Sequence, residues 1–162
     1  MSAPTGGFQG RVFRIHHKTV DPLSTASAKK SGGRFNRAGQ FGVLYASLDR
    51  KTAEAEVGFR MRLPMSSLKD FRVTTIAMEL GSVLDLSDPH VQKELGITPA
   101  EIASDRASDK AKLLNIADKA RAMGHEAILS PSARDPKGRN LNVYLDMMKK
   151  SSRVRVVKTE SL

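Results

Sequence analysis

Short stretches in which apolar and polar residues alternate predict half-buried strands along this chain. The first such stretch covers residues 11–17 (RVFRIHH). Short apolar runs bounded by glycine, proline or polar residues predict further strands at residues 41–47, 71–80, 82–86, 126–129, 141–145 and 153–157. Gly81 separates the predicted strand at 71–80 from the one at 82–86.

Helices are predicted between these strands, and each has a recognisable beginning or end. Asp49 can cap a helix over residues 50–62, which Pro64 would stop. A short helix over residues 89–95 would end at Gly96, and Thr98-Pro-Ala-Glu101 is a capping box. The strongest helix covers residues 109–123, with Gly124 as its cap, and residues 18–40 are predicted to be irregular. Strands and helices follow no regular βαβ order, so we expect a single α+β domain whose mainly antiparallel sheet has flanking helices.

Composition narrows the chemistry that this domain can perform. The chain has 162 residues and no Cys, which excludes disulfides, thiolate nucleophiles and cysteine zinc sites. None of the four His residues has metal-ligand spacing, so no metal is expected. Residues 1–10 contain no signal-peptide pattern and are expected to form a flexible tail before a domain at 11–160. No run approaches the ~20 apolar residues of a membrane span, so we expect a cytoplasmic protein that does not bind membranes.

The net charge of +10 has three interpretations: nucleic-acid binding, attraction to an acidic protein, or a site for phosphate-bearing substrates. The basic residues near the end of the chain also fit a solvated face. A non-catalytic nucleic-acid-binding module is disfavoured, because aromatic residues make up 5% and no helix-turn-helix or zinc pattern is present.

A glycine-rich segment, Gly32-Gly33-Arg34-Phe35-Asn36, could bind a phosphate group. The two glycines allow the backbone to approach a ligand closely, and the Arg34 guanidinium matches phosphate geometry. Asn36 could orient a hydroxyl or stabilise the turn. An ordinary glycine turn with a surface arginine is the alternative. No P-loop and no G-x-G-x-x-G motif is present, which disfavours a Rossmann site.

Three further segments carry candidate residues. Tyr45 could stack on a flat heterocycle, or it could be a core tyrosine. Glu54 and Glu56 belong to the run TAEAE, and two exposed helical glutamates are the alternative interpretation. Ser132 could bind a ribose hydroxyl, but no nucleophile elbow surrounds it.

Taken in order, these motifs resemble the RES-domain family. The resemblance rests on the runs RVFRI, GGRFN, GVLYAS, TAEAE, ILSPSARD and GRNLNVY, and spans residues 11–144. It implies a fold like that of ADP-ribosyltransferases and a bacterial toxin that acts on NAD+. It also implies a Xre-type antitoxin that covers the active site, so that any contact with nucleic acid is indirect, through the antitoxin.

The resemblance also implies roles for single residues. Arg34, Glu56 and Ser132 match the three residues that name the family, Tyr45 matches an active-site tyrosine, and Arg14 and Asn140 match further motif positions. Cleavage of the nicotinamide–ribose bond passes through an oxocarbenium-like state, which the Glu56 carboxylate would stabilise. Arg34 and Arg14 would bind the diphosphate, Tyr45 the nicotinamide and Ser132 the ribose, with Asn36 and Asn140 as further NAD+-binding residues.

The acceptor of ADP-ribose stays open at this point. Water would make the chain an NAD+ glycohydrolase, phosphate an NAD+ phosphorylase, and a protein side chain a mono-ADP-ribosyltransferase. Glu54 replaces the leucine common in the family, and the resulting Glu-x-Glu pair resembles that of protein-modifying transferases. Glu54 is therefore a candidate for activating an acceptor. The leading hypothesis is NAD+ degradation, and protein modification is the alternative.

Overall fold

A computed structural model describes residues 5–162 and contains six strands in one sheet. The strands are β1 (Thr5–His17), β2 (Leu44–Ser47), β3 (Phe71–Asp85), β4 (Ala127–Pro131), β5 (Arg139–Val143) and β6 (Arg153–Ser161). The helices are α1 (Ala26–Ser31), α2 (Arg50–Met61), α3 (Pro89–Leu95), α4 (Pro99–Ala103) and α5 (Ala107–Ala122), with short 3-10 turns at Met65–Ser67 and Leu145–Met147. Within residues 5–162, no helix has the length and apolar character that a membrane span requires.

Five of the strands close into a ring in the order β1-β2-β5-β4-β3, because β1 also pairs with β3. The long strand β3 has β1 along one edge, and β6 and then β4 along the other. Among the described strands only the β3–β4 pair is parallel. The expected single α+β domain with a mainly antiparallel sheet and flanking helices is confirmed.

Three groups of apolar side chains form the core. One fills the interior of the strand ring, and its members include Val12, Leu44, Ile76, Met78, Leu129, Leu141 and Val143. A second lies between the sheet and helices α3, α4 and α5, with Leu86, Ile102, Leu113, Ile116 and Tyr144 among its members. The third joins α2 to the ends of β1 and β3 through Ala53, Val57, Ile15 and Val73. Helix α2 is therefore held by its own apolar side chains against one end of the ring.

The predicted helix caps are confirmed. Asp49 accepts a hydrogen bond from the Thr52 backbone N–H at 2.8 Å, which starts α2. Thr98 and Glu101 form both hydrogen bonds of the capping box. Gly96 ends α3 with a φ of 67°, a conformation that glycine adopts without a steric penalty.

The structure corrects several predicted boundaries. Residues 5–10, expected to belong to a flexible tail, form the first part of β1, because their backbone pairs with residues 78–84 of β3. Residues 1–4 of that expected tail lie outside the described residues. The strands predicted at 71–80 and 82–86 are one strand that continues through Gly81, where a β-bulge places Gly81 and Ser82 opposite Gly7 of β1. The segment predicted to be irregular at 18–40 contains α1.

Candidate active site

The Glu56 carboxylate lies at the centre of a hydrogen-bonded cluster on one face of α2. Its Oε2 atom accepts a hydrogen bond from the Ser132 hydroxyl at 2.6 Å and another from the Asn140 amide at 2.7 Å. Ser132 follows β4 and Asn140 lies on β5, so three elements meet at this carboxylate. Both hydrogen bonds end on Oε2, and no hydrogen bond within residues 5–162 ends on Oε1. We call Glu56, Ser132, Asn140 and Ser47 the carboxylate cluster.

The other hydrogen bonds of this cluster fix the direction of its donors. The Ser132 oxygen accepts from the backbone N–H groups of Arg134 and Asp135, both at 3.1 Å, so its own proton is directed to Glu56. The Asn140 oxygen accepts from the Ser47 hydroxyl at 2.7 Å, and therefore the Asn140 amide nitrogen faces Glu56. Ser47 and Asn140 are register partners across β2 and β5. Ser132 thus acts as a hydrogen-bond donor, in agreement with the absence of a nucleophile elbow.

Glu54 forms none of the hydrogen bonds in the carboxylate cluster. Residues two apart on a helix differ by roughly 200° in direction, which explains why Glu54 is not on the side of Glu56. The structure therefore does not bring the two carboxylates of the Glu-x-Glu pair together in a shared network.

Tyr45 on β2 and Asn36 in the loop that follows α1 form a second group. The Tyr45 hydroxyl donates to the Asn36 side-chain oxygen at 2.7 Å and accepts from the Phe35 backbone N–H at 3.0 Å. The buried Asn36 amide donates to the carbonyls of Ala28 and Phe41 at 2.8 and 3.1 Å. Asn36 therefore uses its hydrogen bonds within the loop, which favours the turn-stabilising role over the binding of a hydroxyl.

Burial raises the pKa of the Tyr45 hydroxyl well above its usual value, so that this group stays neutral at physiological pH. A Cβ atom on Gly33 would lie 2.5 Å from the same hydroxyl oxygen. The second glycine of the GGRFN motif is therefore required for the close approach of the loop to Tyr45, and the tyrosine fixes the backbone next to Arg34.

The Arg34 side chain contacts the end of α4 and the connection between α4 and α5. Its guanidinium donates to the carbonyls of Ile102 and Ser104 at 3.2 and 2.8 Å and forms an ion pair with Asp105 at 2.7 Å. The carboxylate of Asp105 also accepts two hydrogen bonds from Arg134, at 2.8 and 2.9 Å. Pairing with Arg134 lowers the pKa of the Asp105 carboxyl, which therefore remains ionised in neutral solution. We call Arg34, Arg134 and Asp105 the arginine cluster.

Arg14 belongs to neither cluster. Its guanidinium donates to the Pro22 carbonyl at 2.5 Å. Burial and the neighbouring Arg60 charge lower the pKa of Arg14 to about 10, so that it stays positively charged at neutral pH. Arg60 follows Glu56 by one helical turn, and Arg14 therefore lies near the end of α2.

The carboxylate and arginine clusters are neighbours in the structure. Arg134 is two residues after Ser132, and its guanidinium lies 3.3 Å from the ring centre of Phe59, which is three residues after Glu56 on α2. Arg134 therefore connects the two clusters, because its backbone N–H donates to Ser132 and its guanidinium pairs with Asp105. Among residues 5–162 no group of His, Asp or Glu side chains could hold a metal ion.

Comparison with known proteins identifies the family. The sequence model of the RES-domain family matches residues 11–162. The chain belongs to the RES-domain family. The carboxylate cluster and Arg34 thus contain the arginine, glutamate and serine that the sequence motifs assigned to this family.

This RES-domain chain is similar to one protein in sequence and to one solved structure in fold. The probable NAD(+) phosphorylase Rv3189 of Mycobacterium tuberculosis (strain ATCC 25618 / H37Rv) is 33% identical over 148 residues, which cover 89% of this chain and 68% of the relative. A chain in the crystal structure of the M. tuberculosis MbcT–MbcA toxin–antitoxin complex superposes with a TM-score of 0.81 and 17% identity. That match covers 98% of this chain and 86% of the other, and at this identity it shows a shared fold.

Sequence reasoning missed three residues of the two clusters in this RES domain. Arg134 stands in the SPSAR motif, but nothing in the sequence relates its side chain to Arg34. Ser47 ends the GVLYAS motif, and its pairing with Asn140 depends on strand register. Asp105 lies 71 positions from Arg34, in a connection with no motif, so no sequence signal identifies it.

Proposed function

We propose that this RES-domain chain cleaves the bond between nicotinamide and ribose in NAD+ and acts as a bacterial toxin that an antitoxin neutralises. The observation that carries the proposal is the Glu56 carboxylate, which Ser132 and Asn140 hold in place by hydrogen bonds. The description of the M. tuberculosis relative as a probable NAD(+) phosphorylase supports the same reaction. NAD+ is the substrate in this proposal, and the reaction takes place in the cytoplasm.

The carboxylate provides the main stabilisation of the transition state. As the bond to nicotinamide breaks, its electron pair stays with the pyridine nitrogen and positive charge develops on the ribose. A fixed negative charge stabilises this state more than the ground state, which is the requirement for catalysis. Glu56 supplies that charge, and its free Oε1 is suited to a hydroxyl of the same ribose. Nicotinamide leaves as a neutral molecule, so the reaction needs no strong general acid.

The remaining residues position the substrate in this proposal. Arg34 binds the diphosphate, and Tyr45 lies beside the nicotinamide end. Ser132 and Asn140 hold Glu56 and can reach the ribose. Arg14, which is buried near the end of α2, adds positive charge to the diphosphate side. We also assign the strand ring to the ADP-ribosyltransferase type of fold.

Inorganic phosphate is the acceptor that we favour, in line with the description of the relative. Phosphate would attack the ribose carbon as nicotinamide leaves, and the product would be ADP-ribose 1″-phosphate. Transfer to a protein would require an acceptor to be activated, and Glu54 does not join the carboxylate cluster. The structure therefore favours phosphate or water over a protein side chain.

The antitoxin completes the proposal as a partner that covers the active site. The structural match to a chain of a toxin–antitoxin complex supports a fold that a partner can inhibit. A Xre-type antitoxin is the partner that we propose, with the net charge of +10 favouring an acidic face on it.

The deciding experiment measures NAD+ loss and product mass with purified protein, with and without phosphate. We expect ADP-ribose 1″-phosphate in phosphate buffer. Free ADP-ribose in every buffer would identify a hydrolase, and a mass increment on added protein a transferase. A folded protein, free of any antitoxin, that consumes no NAD+ under these conditions would disprove the proposed function.

Glu56→Gln tests the role of the carboxylate in the same assay. The variant keeps the shape of the side chain but loses the charge, so we expect kcat to fall at least about a hundredfold. Glu54→Gln is the matched control on the same helix, and this variant should still consume NAD+. Growth arrest on expression in bacteria should follow the same pattern. If Glu56→Gln is folded and active, the mechanism is wrong.

A further inference from the structure

We propose that Arg134 is a second diphosphate-binding residue, and that the Asp105 carboxylate holds the position that the substrate's diphosphate takes between Arg34 and Arg134. This inference rests on the proposed function for the identity of the substrate, but its geometry concerns any diphosphate ester.

The carboxylate of Asp105 makes the contacts that a phosphate group would make. Its Oδ1 atom accepts from Arg34 Nη2 at 2.7 Å and from Arg134 Nη2 at 2.8 Å. Its Oδ2 atom accepts from Arg134 Nη1 at 2.9 Å. Carboxylate and phosphate groups both match the planar fork of a guanidinium. Two guanidiniums that converge on one small anion therefore form a site into which a phosphate group fits.

The position of Arg134 relative to Glu56 makes it suitable for this role. Arg134 follows Ser132, whose hydroxyl donates to the Glu56 carboxylate at 2.6 Å. Its guanidinium lies 3.3 Å from the Phe59 ring centre, and this stacking fixes the plane of the fork. In NAD+ the diphosphate is attached to the ribose that reacts. A guanidinium beside the residues that hold the catalytic carboxylate is therefore placed to bind it.

The two arginines are held firmly, while the carboxylate between them faces solvent. The side chains of Arg34 and Arg134 are 21% and 18% exposed, whereas that of Asp105 is 48% exposed. A diphosphate that replaces the exposed Asp105 carboxylate becomes the new partner of both guanidiniums, so neither of these largely enclosed charges is left unpaired. A diphosphate carries two negative charges where Asp105 carries one. Exchange of the carboxylate for the diphosphate is therefore favourable.

The chain contains a second ion pair of nearly the same geometry, which serves as a control. Arg121 donates to Asp146 at 2.9 and 2.7 Å, and its guanidinium lies 3.7 Å from the Phe41 ring centre. The side chains of Arg121 and Asp146 are 18% and 52% exposed. This pair shares no hydrogen bond with the carboxylate cluster and contains a single arginine. If the Arg134–Asp105 pair had only a structural role, removing its carboxylate should affect ADP-ribose binding no more than removing that of the Arg121–Asp146 pair.

The experiment measures the affinity of ADP-ribose by calorimetry in the full chain and in four variants. We expect Arg134→Ala to weaken binding about tenfold or more, because it removes a charge-assisted pair of hydrogen bonds. Asp105→Asn removes the competing charge and should strengthen binding severalfold. Asp146→Asn loses the matched ion pair and should leave the affinity unchanged. The double variant with Asp105→Asn and Arg134→Ala should lose most of the affinity for ADP-ribose that Asp105→Asn alone gains.

The KM for NAD+ provides a second readout. Arg134→Ala should raise KM about tenfold with kcat within a few-fold of the wild type, whereas Asp105→Asn should lower KM. Circular dichroism and thermal unfolding of all variants show whether each is folded, and Arg134→Lys replaces Arg134→Ala if the latter is not. The fork is lost in the lysine variant, so weaker binding is expected there too.

Two results would overturn the inference. One is an Arg134 variant that binds ADP-ribose within twofold of the wild type. The other is an Asp105→Asn variant that binds more weakly, because Asp105 would then support the site rather than compete for it. Failure of the proposed function looks different: ADP-ribose would still bind through Arg134, but the wild-type protein would consume no NAD+.

Discussion

At the scale of single residues, the direction of the hydrogen bonds around Glu56 decides its chemistry. Ser132 and Asn140 both donate to Oε2, and each is oriented by a further partner. These hydrogen bonds hold the carboxylate in one position, and a carboxylate fixed in this way stabilises a positively charged ribose. The orientation of Asn140 depends on Ser47, which donates to its side-chain oxygen.

Asn140→Asp should slow the reaction. The new carboxylate would lie about as near to Glu56 as the amide that it replaces, at 2.7 Å, and it would repel Glu56 where the amide donates a hydrogen bond. Glu56 would then lose the position in which it stabilises the developing charge. We expect kcat to fall at least about tenfold in the NAD+ assay.

Ser47→Ala is the control for this prediction. It loosens Asn140 without adding charge, so kcat should fall only several-fold. If a folded Asn140→Asp variant keeps the wild-type kcat, the reaction does not depend on the hydrogen bond from Asn140 to Glu56.

At the scale of elements, one contact joins the loop of Ser132 to the beginning of the helix that carries Glu56. The Thr52 hydroxyl donates to Asp135 at 2.8 Å and also lies 2.9 Å from the Asp49 cap. Thr52 precedes Glu56 by one turn, so both face the same side of α2. Gly138 packs against this contact: a Cβ atom there would lie 2.1 Å from the Thr52 hydroxyl oxygen.

Gly138→Ala should therefore destabilise the protein and reduce its activity. The added methyl group forces Thr52 and the loop apart, at a cost of about 1–3 kcal/mol. Thr52→Ala removes the side-chain atoms that the methyl group meets. The double variant should consequently be more stable than the sum of the two single changes, as urea unfolding can measure. Simple additivity would show that the contact with Thr52 is not the cause.

His125, which lies just before β4, should make the free energy of unfolding depend on pH. His125 is buried, and burial together with the nearby Lys149 charge lowers its pKa below the usual 6.5. The unfolded chain then binds a proton more readily than the folded one. The stability that the neutral His125 contributes is present above about pH 6.5 and is lost as the pH falls through its lower folded pKa.

The measurement is urea unfolding between pH 7.5 and 5, followed by far-ultraviolet circular dichroism because the chain has no Trp. The free energy of unfolding should fall with pH, by at most about 1.4 kcal/mol per unit from this group. His125→Gln should flatten the slope, while the same change at the exposed His90 should not. Equal slopes in wild type and His125→Gln would contradict the prediction.

At the scale of the whole molecule, the net charge of +10 acts on every anionic substrate that approaches. Ionic strength screens this attraction, with a Debye length of about 10 Å at 0.1 M salt. Screening is weak at about 50 mM NaCl and strong at about 500 mM. Between these concentrations we expect the KM for NAD+ to rise several-fold, with kcat nearly constant. Unfolding curves at the same salt concentrations would confirm that the fold is unchanged. A constant KM would show that long-range attraction has no part in binding.

Local patterns along the chain determined much of the fold. Helix α3 and the capping box of α4 depend on residues a few positions apart, so the sequence contains all of their determinants. The same holds for the identification of the family, because its motifs are continuous runs. The sequence therefore determined most of the elements, the fold class and the residues Arg34, Glu56 and Ser132 as candidates.

Only the tertiary structure decided how these elements and residues meet. Residues 5–10 look like a tail in sequence, but pairing with β3 makes them a strand. Ser47 meets Asn140 through the register of β2 and β5, and Asp105 meets Arg34 across 71 positions. Contacts of this kind arise from the closure of the strand ring and the packing of α4 and α5, and no local pattern encodes them. The physical reason is that hydrogen bonds and ion pairs depend on distances in space, which distant parts of the chain acquire only on folding.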